Sequence, residues 1–177
     1  EHAGKACNAP QDICMTLNTN AQSLVKHGIA RKIDTQECLD LLQQAYDHNL
    51  VQFGENVQRN MNFICNCCGC CCDLMTAARR FGMLQPVHTT NFLPEINEDK
   101  CIGCGKCVQT CPVEAMTLVS ANDPEKPKKQ KAKLNASACL GCGVCVRNCA
   151  SHSIRLTTRP EHVITPTDSV HRLLVMA

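Results

Sequence analysis

Large aromatic side chains are almost missing from this chain: it has no tryptophan, one tyrosine and four phenylalanines, 3% of 177 residues. Cores of ordinary size lean on such side chains, so something else must help hold the fold. Long apolar runs are missing as well. No stretch has the length of a signal segment or a membrane span, which points away from secretion and from membrane insertion of this chain. Charge of one sign is not in excess either. The formal charge is +2, and no basic, aromatic-interleaved surface suited to nucleic acid can be picked out. There is no glycine-rich nucleotide loop or flavin fingerprint, and the seven histidines are scattered.

Cysteine is what the chain has in excess. Seventeen would suit a secreted disulfide scaffold, but the number is odd and many lie too close together to pair comfortably. In a reducing cytoplasm, clustered thiolates mean metal.

An internal repeat carries the strongest signal. "INEDKCIGCGKCVQTCPVEAMTL", from Ile96, and "LNASACLGCGVCVRNCASHSIRL", from Leu134, align without a gap and share four cysteines, two glycines, an asparagine, a valine and a leucine. Each copy reads C-x2-C-x2-C-x3-C: Cys101, Cys104, Cys107 and Cys111, then Cys139, Cys142, Cys145 and Cys149. A tight loop with a cysteine at every third residue can wrap three corners of a cubane, and Gly103, Gly105, Gly141 and Gly143 let backbone N–H groups approach the sulfurs. Zinc also takes C-x2-C pairs, but it has no need of the fourth cysteine at x3 in both copies. Each copy predicts a short strand, the cysteine loop, a helical turn and a closing strand, with "EAMTLVS" and "HSIRLTT" as the closing strands of two small hairpins.

This double motif resembles the bacterial-type ferredoxins with two [4Fe–4S] clusters, over roughly residues 95 to 158. The resemblance implies one cluster on Cys101, Cys104, Cys107 and Cys149 and a second on Cys139, Cys142, Cys145 and Cys111. Pro112 matches the proline that follows the fourth cysteine in the family pattern; Ala150 stands in its place in the second copy. The implied fold class is α+β: a ferredoxin-like dicluster domain over 93–160, two pseudo-symmetric hairpin and short-helix units, preceded by a small helical, cysteine-rich domain over 1–92. Residues 161–177 read as a linker and the start of a helix capped by Asp168. The stretch 122–133 carries five lysines and two prolines. It reads as a solvated basic loop inserted between the copies, and functionally as a dock for an acidic redox partner protein.

In the first half, Asp34 and Glu37 predict a capped helix over 34–49 with Cys38, Leu41, Leu42 and Ala45 on its apolar stripe. A shorter helix over 21–27 should end at Gly28. "EHAGKACNAPQDIC" begins without methionine and, through His2, Gly4, Cys7, Pro10 and Cys14, resembles the later part of a cysteine pattern of iron–sulfur proteins of anaerobes. With an apolar carboxyl end that stops abruptly, this reads as a piece of a longer protein.

"FICNCCGCCCDLM" packs six cysteines into eight positions. Neighbouring side chains point in different directions, so six thiols cannot all reach one four-iron cluster. The economical reading is a third metal centre with ligands drawn from Cys7, Cys14, Cys65, Cys67, Cys68, Cys70, Cys71 and Cys72; zinc and a redox-active dithiol are the alternatives. The stretch, followed by a dicluster module, resembles uncharacterised iron–sulfur proteins of strictly anaerobic bacteria, and Cys67, Cys68 and Gly69 resemble the CCG element of heterodisulfide-reductase-type subunits. Two functions follow. One is a cytoplasmic electron-transfer protein or subunit, a component of an oxidoreductase rather than itself catalytic, relaying single electrons through two [4Fe–4S] clusters and the third centre. The other is a reductase subunit whose 65–72 loop reduces a disulfide or another two-electron acceptor.

Overall fold

The computed structural model describes residues 7–81, 90–162 and 164–176, and the chain forms an α+β protein of short elements. It divides into two compact units, one of Gly69–Val163 and one of Cys7–Cys68 with Ile164–Ala177. Among the described residues no helix is long and apolar enough to cross a membrane.

In the first unit, α3 (Asp73–Phe81) precedes β4 (Phe92–Ile96), α4 (Lys106–Gln109), β5 (Met116–Ser120), β6 (Gln130–Leu134), α5 (Val144–Arg147) and β7 (Ile154–Thr158). Both closing strands form where their β-branched, alternating sequences predict. Their partners differ from the expected hairpins within each copy. β4 pairs antiparallel with β7, Phe92 opposite Thr158 and Ile96 opposite Ile154, while β5 pairs with β6, Met116 opposite Leu134. Each ladder therefore joins one copy to the other. Two-stranded ribbons of this length are marginal alone, so the exchange lets both copies share one interior. The lysine-rich stretch is also less of a loop than its composition suggests: Gln130–Leu134 is strand, and Ala132 on it is buried.

The shared interior is small. Its buried members are Cys101, Cys107, Met116, Ala132, Cys145 and Ile154, with Ile96, Val108, Cys111, Leu134, Val146 and Cys149 packed against them. Half of the buried set is cysteine, which answers the scarcity of aromatics: this interior is built around sulfur.

The other unit contains β1 (Met15–Thr16), α1 (Asn18–Lys26), α2 (Thr35–Asp47), β2 (Val51–Gly54) and β3 (Phe63–Cys67), and from the carboxyl end α6 (Ser169–Met176). Both predicted helices are present. The Asp34 carboxylate accepts the Glu37 N–H at 2.8 Å to cap α2, and Gly28 at φ 68° closes α1. A three-stranded antiparallel sheet, order β1-β3-β2, accompanies them, so the unit is not purely helical. Its strands are only two to five residues long, too short for alternation to declare itself. Ile13, Ala45 and Leu50 form the buried core, with Leu41 and Cys68 against it. Cys38, expected in the α2 stripe, is half-buried.

The Glu55 carboxylate is one of the groups that tie α6 to this unit, beside the backbone hydrogen bonds from Gln58 to Pro166 and from Arg59 to Thr167. Glu55 accepts from Ser169 Oγ at 2.8 Å and from the Asn62 side chain at 2.9 Å, and Arg172 donates to the Glu55 carbonyl at 2.8 Å. Asp168 caps α6 through the His171 N–H at 2.9 Å.

Candidate metal centres

The eight cysteines of the repeat occupy equivalent places in the two copies. In each copy the first and third, Cys101 and Cys107 or Cys139 and Cys145, are buried, the second, Cys104 or Cys142, is exposed, and the fourth, Cys111 or Cys149, is half-buried. The loops that set them turn at glycines: Gly103 and Gly141 lie at φ 66° and 67°, and each leaves no room for a side chain, because a Cβ would run into the carbonyl oxygen of Gln130 or of Phe92.

Which thiols come together crosses the copies. One pocket is lined by Cys101, Cys104 and Cys107 and also by Cys149. On the other side, burial first, then the charges of Cys142 and Cys111, push the Cys139 thiol up. Burial pushes Cys145 up to about 12, with the charges of Cys142, Cys139 and Cys111, and last that of Cys107, behind it. Cys142 reaches the surface as a residue, yet desolvation of its sulfur raises it too, with Cys111 the charge that adds to this. The Cys107 thiol is raised by burial and by Cys101. Thiols crowded so that each disfavours the next one's ionisation suit a cationic metal, which needs them as thiolates and repays the repulsion.

Residues 94–156 match the family model described as 4Fe-4S dicluster domain. This part of the chain is a ferredoxin-type dicluster domain. Over 25 residues the chain is 60% identical to an uncharacterized polyferredoxin-like protein of Methanocaldococcus jannaschii, which covers 14% of this chain and 15% of that protein. Over 37 residues it is 40% identical to Ferredoxin-3 of Trichormus variabilis, covering 21% of this chain and 38% of that one. The matched stretches thus span well under half the length of these curated relatives. A dicluster domain implies two [4Fe–4S] clusters and electron transfer.

The dicluster domain suits such clusters in its donors as well as its thiols. Backbone N–H groups reach sulfur from Ala132 to Cys101 at 3.4 Å, Ala115 to Cys111 at 3.2 Å, Gly141 to Cys139 at 3.3 Å and Ser153 to Cys149 at 3.3 Å. These donors favour the anionic sulfur of a bound cluster. Three residues that the cysteine spacing does not mark add to them. The Ser153 and Ser151 hydroxyls lie 3.2 and 3.6 Å from Cys149 Sγ. Burial pushes the Cys149 thiol up, but these two hydroxyls and the N–H groups of Ser153 and Ile154 outweigh it and bring the thiol down to about 7. Arg159, itself buried, donates to the Cys139 carbonyl at 2.7 Å, and its charge favours the Cys139 thiolate. The signal for all three was the alignment of the copies, where Val113, Ala115 and Ala121 stand in their places.

The cysteine-rich stretch is split between the two units. In the first, Cys70 Sγ lies 3.6 Å from Cys71 Sγ, and the Cys72 carbonyl accepts the Thr76 N–H at 2.9 Å as α3 begins. Gly69 packs so closely on Pro112 that a Cβ would lie 2.7 Å from the Pro112 Cα, and Arg79 of α3 donates to the Pro112 carbonyl at 3.4 Å and faces Glu114 at 3.8 Å. This holds the loop on the turn that follows Cys111. In the other unit, Cys7 Sγ comes within 3.8 Å of Cys68 Sγ, an approach across 61 residues. Cys65 and Cys67 lie two apart on β3, opposite Phe53 and Val51, and share a face of the strand. Cys14 is exposed. His2 and Gly4 of the amino-terminal pattern lie outside the described residues.

Proposed function

We propose that this chain is an electron-transfer protein or subunit with two [4Fe–4S] clusters, one on Cys101, Cys104, Cys107 and Cys149 and the other on Cys139, Cys142, Cys145 and Cys111. The observation that carries the assignment is the crossing of the fourth cysteine: Cys149 lines the pocket of Cys101, Cys104 and Cys107, and the charge of Cys111 bears on Cys139, Cys142 and Cys145. Bound there, the clusters would supply one-electron redox capacity. The chain's own part is to enclose the inner thiols, aim N–H groups at the sulfurs, and leave Cys104 and Cys142 at the surface, where a partner protein can come close.

A third metal centre that takes Cys7 and Cys68 as ligands belongs to the same reading. Its support is the approach of Cys7 Sγ to Cys68 Sγ at 3.8 Å within one unit. The redox partner would meet the basic edge beside β6. Lys126, Lys128 and Lys133 are exposed there, whereas Lys129 and Lys131 pair with Asp123 and Glu98.

The test is iron and acid-labile sulfide on anaerobically purified chain, compared with the Cys111→Ser and Cys149→Ser variants. Two clusters require about eight iron atoms per chain, and a third four-iron centre would bring the total to about twelve. Each variant should disturb one cluster, that of Cys139, Cys142 and Cys145 for Cys111→Ser and that of Cys101, Cys104 and Cys107 for Cys149→Ser, seen as loss or altered signal of a single reduced cluster by EPR. Zinc in place of iron, or no change in either variant, would end the reading.

A further inference from the structure

The two copies treat their fourth cysteine differently. Cys111 Sγ accepts the Ala115 N–H at 3.2 Å, and Cys149 Sγ accepts the equivalent Ser153 N–H at 3.3 Å. There the likeness ends. Cys149 also has the Ser153 hydroxyl at 3.2 Å and the Ser151 hydroxyl at 3.6 Å, while the aligned positions in the first copy are Ala115 and Val113, which have no hydroxyl to offer. Ser153 is buried, so its hydroxyl is not simply waiting on solvent for a partner. A hydroxyl turned toward a ligand sulfur stabilises the more negative, reduced cluster more than the oxidised one and raises the reduction potential.

We infer that Ser151 and Ser153 are positioning residues that raise the reduction potential of the cluster held by Cys149 relative to the value it would have without them, so that the two nearly symmetric sites are tuned by different means. The inference rests on the cluster assignment under Proposed function. It identifies two residues through which the chain adjusts one of two sites whose cysteine ligands match.

The first copy supplies the substitutions for the test. Ser151→Val with Ser153→Ala installs the residues that the same turn already carries at Val113 and Ala115, and Val113→Ser with Ala115→Ser does the reverse. The readout is an EPR-monitored redox titration of the anaerobically purified full chain, with iron and sulfide measured on every sample. The serine-free variant should move one of the two reduction waves to lower potential and leave the other in place; the reverse variant should move the other wave upward. Unmoved waves at full iron content in the serine-free variant would overturn the inference. If that variant loses iron, the reverse variant decides: an upward shift of one wave supports the tuning role, and no shift refutes it. A parent chain that holds no pair of four-iron clusters would instead refute the assignment itself, a result the iron and sulfide values report separately.

Discussion

Replacing Gly103 by alanine probes how tightly the cysteine loop must close. Gly103 and Gly28 have nearly the same backbone, φ 66° and 68°, but a Cβ on Gly28 would meet nothing within 4 Å, whereas one on Gly103 would overlap the Gln130 carbonyl and lie 2.8 Å from its carbon. Gly28→Ala therefore measures the left-handed backbone penalty by itself, about 1–2 kcal/mol. Gly103→Ala pays the same penalty and must also push the start of β6 away by roughly 1 Å, an overpacking cost of about 1–3 kcal/mol. That strand carries Ala132, whose N–H reaches Cys101 Sγ at 3.4 Å, so the displacement acts on a thiol of the cluster loop. If the extra cost appears wholly in the opening of the site, iron should leave to a chelator about 5- to 150-fold faster than from Gly28→Ala. The assay is the anaerobic bleaching of visible absorbance under excess chelator. Equal rates for the two variants would refute the argument that the close approach of the loop to β6 retains the metal.

Acidification should loosen α6. Burial alone would push the Glu55 carboxyl up, but Ser169, Asn62 and Arg172 outweigh it and hold it below the usual range. Because the folded state prefers the carboxylate, this contribution is present above the ordinary glutamate value of about 4.3 and fades as pH falls through the lower folded value. Glu55→Gln should cost about 1–3 kcal/mol at neutral pH and speed hydrogen exchange in Ser169–Met176. Equal protection factors at pH 7 and pH 3 in the parent chain, with each rate corrected for the intrinsic pH dependence of amide exchange, would contradict this. Replacing Lys126, Lys128 and Lys133 with glutamine should slow electron transfer to an acidic partner at low salt, with iron content unchanged and the difference shrinking as salt rises. Identical rates in stopped-flow mixing would remove the docking idea.

Much of the dicluster domain could be read from residues because its chemistry is local. Four cysteines at fixed offsets, glycines at left-handed turns and β-branched closing strands declare themselves within twenty residues. The helix over Thr35–Asp47 was legible for the same reason, through the Asp34 cap. Pairings at long range were not. Nothing in "FLPEI" says that it lies against "IRLTT" rather than against the strand of its own copy, because alternation fixes a face and not a partner. The approach of Cys7 to Cys68 was legible only as membership of one pool of eight cysteines, since a thiol carries no mark of which distant residue it will meet. Ser151 and Ser153 were visible as letters, but their hydroxyls acquired meaning only when Cys149 Sγ was found between them.

The exchanged strands bear on the origin of the domain. Because β4 lies on β7 and β5 on β6, neither copy completes a sheet with its own residues, and the only covalent link between the copies runs through the exposed lysine-bearing turn before β6. Viewed without that turn, the copies are two protomers of a symmetric dimer, each lending the other its strands. Such an arrangement would come from a single short peptide that worked in pairs before its gene was doubled. Fusion then freed each half to diverge, and a serine in one turn opposite an alanine in the other is the kind of difference that two identical subunits could never have kept.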